Sequence, residues 1–149
     1  MSRVYFVDQK LIEEKLTLMD EHLQFFNSKK DWTTIADKLV LERVIHIVIE
    51  AIIDVGNSII DGFVMRDPGG YEDIINILID EKVVTEKNGE SLKVVIPLRK
   101  MVVRDYTKID HQAIKQIFTE NLEALTNFVP SIKQYLKDEL GQVTAFIPK

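Results

Sequence analysis

The chain has 149 residues, 46% of them apolar and 29% charged, which fits one globular domain spanning 1–149 and excludes a disordered chain. Cysteine is absent, so disulfides, thiolate metal sites and a cysteine nucleophile are excluded. The net charge of −5 argues against a broad basic surface for tight nonspecific nucleic-acid binding, but leaves room for a local basic site.

The opening MSRVYFVDQK lacks the basic start, apolar run and small-residue cleavage site of a signal peptide; with the missing cysteines this predicts a cytoplasmic protein. A chain of this length buries about 70% of the surface its unfolded form exposes, enough for a core without staples.

The first predicted helix covers about 8–28. Asp8 is its N-cap, and Leu11, Ile12, Leu16, Met19, Leu23 and Phe26 recur at three- and four-residue steps. The second starts at Thr33 or Thr34 and reaches about Phe63. Its many β-branched residues would also suit a strand. Its polar residues decide the matter: Glu42, His46, Glu50, Asp54, Asn57, Ser58 and Asp61 follow helical and not alternating spacing. They also interrupt the apolar run at 44–60, which is therefore a buried helix and not a membrane span. A helix apolar around most of its circumference must bury two faces. One is expected on the core and the other on a second copy of the chain.

Residues 66–70, Arg-Asp-Pro-Gly-Gly, form the clearest turn. A short helix is expected over 71–80, then a connector over 83–89 that could include an extended piece. A fourth helix is expected from about 90 to 106, kinked or restarted at Pro97. A fifth follows the N-cap Asp110 and runs to about Leu140, bent or split at Pro130-Ser131 and ended by Gly141. The fold class is thus all-α, an antiparallel bundle of about five helices.

Chemistry concentrates in Leu98-Arg99-Lys100-Met101-Val102-Val103-Arg104-Asp105-Tyr106. Guanidinium groups suit phosphate because their donors are fixed in a fork, and a tyrosine hydroxyl can position a phosphate or be modified itself. On a continuous helix Arg99 and Tyr106, seven apart, project from nearly one face, while Arg104 points away from Arg99. The bland alternative is the solvated side of a helix whose Met101, Val102 and Val103 are core.

Arg99, Arg104 and Tyr106 reproduce the R-x4-H-x-Y framework of the HEPN superfamily, except that arginine stands at the histidine position. The segments YFVDQKLIEEKLTLMDEHL, ERVIHIVIEAIIDVGNSIIDGFVMRDPGGYEDIINILID and LRKMVVRDYTKID extend the resemblance over most of the chain, in the HepT-like branch. That resemblance implies a helical homodimer whose motif segments line a shared cleft. It implies a metal-independent ribonuclease of the toxin type, with no cofactor. It further implies a nucleotidyltransferase antitoxin as partner, which can add AMP to the motif tyrosine, here Tyr106. Arg99, Lys100 and Arg104 would hold RNA phosphate, with Arg99, Arg104 and Tyr106 as the catalytic set.

The departure at position 104 bears on activity. Cleaving RNA without a metal needs groups that exchange protons near neutral pH, as histidine does with its pKa near 6.5. Arginine stays protonated; it can bind phosphate and stabilise developing charge but cannot act as a base. The motif predicts a phosphate-binding cleft that is catalytically impaired. A catalytically silent module that binds a nucleotide, an RNA or a nucleotidyltransferase is the alternative, and a ligand-free helical scaffold is a third reading.

Other histidines are weighed for the missing role. His111 could fold back toward the cleft or simply lie in an exposed first turn; His46 could touch the cleft or be an interface histidine; His22 lies on the polar side of the first helix. His46, Glu50 and Asp54 form one polar line, four residues apart. They could be a solvated stripe, partners for Arg43, Arg99 or Arg104, or, with Asp61 nearby, oxygen ligands for a hard cation. An ion pair with the motif arginines is the preferred role, and no metal site is expected. No P-loop or serine nucleophile elbow is found. Tyr5, Phe6, Phe25, Phe26 and Trp32 could stack bases, but aromatics at helical spacing are usually core.

Overall fold

A computed structural model of the chain describes residues 7–144. Among these residues the backbone forms seven helices and no strand: α1 (Gln9–Ser28), α2 (Ile35–Gly62), α3 (Tyr71–Asp80), α4 (Glu86–Val95), α5 (Leu98–Val103), α6 (His111–Glu120) and α7 (Leu122–Thr144). Tyr5 and Phe6 lie outside the described residues.

The first three helices sit where the sequence places them, each for a local reason. Asp8 caps α1 by accepting the Leu11 N–H at 3.1 Å. α2 opens with a reciprocal capping box: the Asp37 N–H donates to Thr34 Oγ1 at 3.1 Å, and the Thr34 N–H donates to Asp37 Oδ2 at 3.0 Å. Two ion pairs, Lys15–Asp54 at 3.3 Å and Lys29–Asp37 at 2.7 Å, show that α1 and α2 run antiparallel, since residues late in one meet residues early in the other.

α2 is the central helix, packed against α1, α3, α5 and α6, while α4 and α7 close the bundle on the other side. Its Leu41, Ile45, Val48, Ile49, Ile52, Val55, Ile59 and Ile60 are essentially inaccessible to solvent. Each contributes about 1.5–3 kcal/mol through burial, before entropy is set against it. The expectation that one whole face of α2 needs a second copy is corrected here. Neighbouring helices of the same chain cover most of it, and the large apolar residues left exposed, Ile35, Leu39 and Val40, cluster in its first two turns. Gly56 lets α3 approach, because a Cβ there would stand 2.6 Å from Ile74 Cγ2.

The later boundaries differ from those read in the sequence. Thr85 caps a helix that begins at Glu86, inside the expected connector, by accepting the Asn88 N–H at 3.1 Å. Residues 83–84 make no strand. At 96–97 the chain breaks and restarts as the six-residue α5, which stops at Val103 instead of reaching Tyr106. The stop is made by the Asp105 N–H, which donates to the Lys100 carbonyl at 3.0 Å and so draws the chain out of the α-helical path. The fifth predicted helix is also two helices, divided at Asn121 and not at Pro130. Asn121 leaves helical geometry, with φ −110° and ψ 14°, and its side-chain amide donates to the Ile117 carbonyl at 2.8 Å, closing α6. Pro130 stays within α7 because it faces solvent, where water can satisfy the carbonyl its missing N–H would have bonded, while the buried Phe128, Val129 and Ile132 hold both sides in the core. Gly141 likewise does not end the helix, which continues to Thr144.

Candidate functional site

The motif segment spans two kinds of structure. Arg99 is in the first turn of α5, behind Pro97, whose fixed φ and missing N–H suit a helix start. Arg104 caps the other end of α5, and Tyr106 lies beyond it in the turn leading to α6, 68% exposed as a residue. The expected alignment of Arg99 and Tyr106 on one helical face therefore does not arise, because the helix ends between them.

Arg99 is anchored from the central helix. Its Nε donates to Glu50 Oε1 at 2.5 Å, and His46 Nε2 lies 3.5 Å from the same oxygen. The Glu50 carboxylate holds the guanidinium still more firmly in its charged form. Of the polar line predicted along α2, Glu50 thus meets Arg99, and His46 lies against Glu50. Asp54 does not: it pairs with Lys15 of α1. Asp61 is exposed at the far end of α2, and Arg43 is exposed and makes no ion pair among the described residues. No cluster of three or more metal-ligating side chains occurs among the described residues.

Arg99 and Arg104 open onto one pocket of about 370 Å³, with Lys93 and Lys100 as further cations and Glu72 as the acidic lining residue. Its apolar walls are Tyr71, Ile96 and Pro97. Lys93 is held by Glu90 at 2.9 Å, and Lys100 stands 4.0 Å from Asp105. Arg104 is exposed and has no ion pair among the described residues, so its guanidinium is available to an anion. Tyr71 escapes a search by sequence motif. Its guanidinium neighbour Arg99, with Cζ 5.1 Å from the ring centroid, is 28 positions away in the chain. The signal that could have found it is an aromatic placed directly after the Gly69-Gly70 turn, where a core residue is not required.

The remaining histidines sit elsewhere. His111 does not fold back into this pocket; its Nε2 is 2.7 Å from Glu42 Oε2, tying α6 to α2. His22 contacts the Leu18 carbonyl through Nδ1 at 2.9 Å. Phe26 and Trp32 are core, Phe26 packing on Phe118 with centroids 4.8 Å apart, and Phe25 meets Trp32 edge-on at 6.2 Å. The pocket lining contains no histidine, so it can bind anions but offers no imidazole for proton transfer.

Comparison with known proteins gives consistent results. Residues 12–132 match the family model described as ribonuclease HepT-like. YutE of Bacillus subtilis (strain 168), a protein named as a candidate RNase, is 46% identical over 143 residues, covering 96% of this chain and 99% of YutE. The solved structure of Bacillus subtilis YutE, described there as a cytosolic protein of unknown function, superposes with a TM-score of 0.90 at 45% identity, over 92% of this chain and 96% of that one. A tri-AMPylated Shewanella oneidensis HEPN toxin, solved in complex with its MNT antitoxin, has the same fold: TM-score 0.70 at 18% identity, over 83% of this chain and 94% of that one.

Proposed function

The chain belongs to the HepT-like ribonuclease family, and on that footing we propose an RNA-binding protein of the toxin type, whose cleft holds backbone phosphate on Arg99, Lys100 and Arg104. The observation that carries this reading is the convergence of both motif arginines on one pocket in a chain whose net charge is −5. Arg99 presents its fork from a fixed position set by Glu50, and Arg104, without an ion pair among the described residues, supplies a second charge. Tyr106 stands at the exposed edge, where it can position a phosphate or accept AMP. We read the whole chain as one such domain.

If the cleft cleaves RNA it does so with an impaired set of groups. Arg104 can stabilise charge on the phosphate but cannot take the 2′-hydroxyl proton. Of the three histidines, His46 is the one near Arg99, through their shared Glu50 oxygen, but it does not line the pocket. Losing the general acid–base costs about 10²–10⁴ in rate. The same observation favours a second reading, a catalytically silent module that keeps the anion site to hold RNA, a nucleotide or a partner nucleotidyltransferase.

The test is cleavage of a labelled RNA pool with chelator present by wild type, Arg99→Ala, Arg104→His and His46→Ala. Cleavage by wild type that Arg99→Ala abolishes makes the cleft a ribonuclease, and loss in His46→Ala would assign the proton transfer to His46. Activity appearing only in Arg104→His would mean that the fold kept the site and lost its proton carrier. Silence in all four leaves the binding module.

We also propose a homodimer and a nucleotidyltransferase antitoxin partner. Supporting the first are exposed apolar side chains at Leu11, Leu18 and Phe25 of α1, seven residues apart on one stripe, and at Leu39 and Val40 of α2. Light scattering that returns a monomer near 17 kDa at micromolar concentration would reject it. Supporting the second is the antitoxin bound to the Shewanella oneidensis toxin. Incubation with a neighbouring nucleotidyltransferase and ATP should add one or more AMP masses to the peptide carrying Tyr106, and an unmodified peptide would count against it. No helix among the described residues is long and apolar enough to cross a membrane, and we place the protein in the cytoplasm with YutE.

A further inference from the structure

The phosphate-binding reading leaves the apolar half of the pocket without a role. Inorganic phosphate needs donors and charge, yet beside the cations stand an aromatic ring and the side chains of Ile96 and Pro97. Tyr71 is the first residue of α3, and the residue is 46% exposed, so it contributes little to the core. One contact it does make is with the guanidinium of Arg99, 5.1 Å from its centroid.

A flat ring, two apolar walls and a rim of guanidinium groups match a nucleotide better than a bare anion. Unpaired RNA bases stack on aromatic rings and arginine planes, while the phosphate beside them takes the charged donors. The volume of about 370 Å³ suits one nucleotide unit and not a duplex. We propose that Tyr71 is the base-stacking platform of a single-nucleotide subsite, which holds the unpaired base of the RNA unit whose phosphate Arg99 and Arg104 bind. The inference rests on the phosphate-cleft reading and narrows its substrate to single-stranded RNA. Stacking is tolerant of base identity, so this subsite selects unpaired over paired RNA and not one sequence over another.

The experiment compares two labelled probes by fluorescence anisotropy: an unstructured eight-nucleotide RNA and an abasic oligomer of the same length and charge. Wild type should bind the RNA about 5- to 150-fold more tightly than the abasic chain, the range that one stacked base supplies. Tyr71→Phe should keep that preference, and Tyr71→Ala should bind both probes at the abasic level. An equal loss for both probes in Tyr71→Ala would mean that the ring only steadies Arg99, and the platform is rejected. Unchanged preference in Tyr71→Ala rejects it as well, and if Arg99→Ala still weakens both probes the phosphate cleft survives that failure. Wild type that binds neither probe overturns the cleft and the platform together. Tyr71 is exposed at a helix start, and an unchanged helical circular dichroism spectrum checks that Tyr71→Ala folds.

Discussion

Arg99 and Glu50 are 49 positions apart in the chain, yet the guanidinium Nε of one donates to a carboxylate oxygen of the other at 2.5 Å, fastening the short α5 to the central α2. The pair is partly shielded, with side chains 23% and 31% exposed, so it is screened less than a surface contact. A double-mutant cycle with Glu50→Ala and Arg99→Ala, read by urea unfolding, should return a coupling of about 1 kcal/mol. A coupling near zero would mean that the two side chains separate in solution.

The capping box of α2 predicts a pH dependence of stability. Hydrogen bonding to Lys29 and to Thr34 lowers the Asp37 pKa to about 2. A depressed folded-state value means that the stabilisation is full above the ordinary value near 3.8 and is lost as pH falls through about 2. The difference in Tm between wild type and Asp37→Ala should therefore be complete at pH 6 and shrink between pH 4 and pH 2. A difference that stays constant over that window would show that the charge of Asp37 does not hold the cap.

Gly56→Ala should destabilise the fold even though alanine is the better helix former. The new methyl group would sit 2.6 Å from Ile74 Cγ2 and push α3 off α2, at a cost of about 1–3 kcal/mol. The helix-propensity gain of about 1 kcal/mol offsets only part of this. Adding Ile74→Leu, which moves the branch away from Cβ, should recover some of the loss. If the single variant melts at or above the wild-type temperature, the close approach of α2 and α3 is not maintained.

Val64→Gly should stabilise the protein. Val64 has φ 55°, a left-handed conformation that crowds a β-branched side chain, and it is 76% exposed, so the side chain gains little from packing. The strain is held by the end of α2, where the Met65 N–H donates to the Ile60 carbonyl at 2.9 Å. Glycine removes the clash at some cost in unfolded-state entropy, and the expected net gain is about 1 kcal/mol. A fall in Tm would point to a packing role for the Val64 side chain.

How much of this was legible in the sequence depends on what fixed each feature. The polar line His46–Glu50–Asp54 and the caps at Asp8, Thr34 and Asp110 are local, and the helices they mark appear in place. Pro130 misleads because a proline breaks a helix only when the helix cannot afford the lost hydrogen bond, and solvent exposure with flanking buried residues is a tertiary fact. The end of α5 depends on one backbone bond from Asp105 to Lys100, which no side-chain pattern announces. At the site, Arg99, Lys100 and Arg104 are singled out by the resemblance to the HEPN motif, and the fold brings all three to one pocket. Tyr71 carries only the faint signal of an aromatic directly after the Gly69-Gly70 turn, and its place beside Arg99 is set by the tertiary fold.

The early stop of α5 at Val103 has a consequence for any enzyme that would act on Tyr106. A tyrosine within a helix presents only its side chain, because neighbouring turns cover the backbone. Here the residues on either side, Arg104-Asp105 and Thr107-Lys108, lie in an exposed turn between two helix ends. A modifying enzyme meets a peptide whose flanking side chains and main-chain groups it can grip, so its selectivity can extend to the sequence around the hydroxyl. The same turn can carry a bulky adduct outward without unwinding either helix.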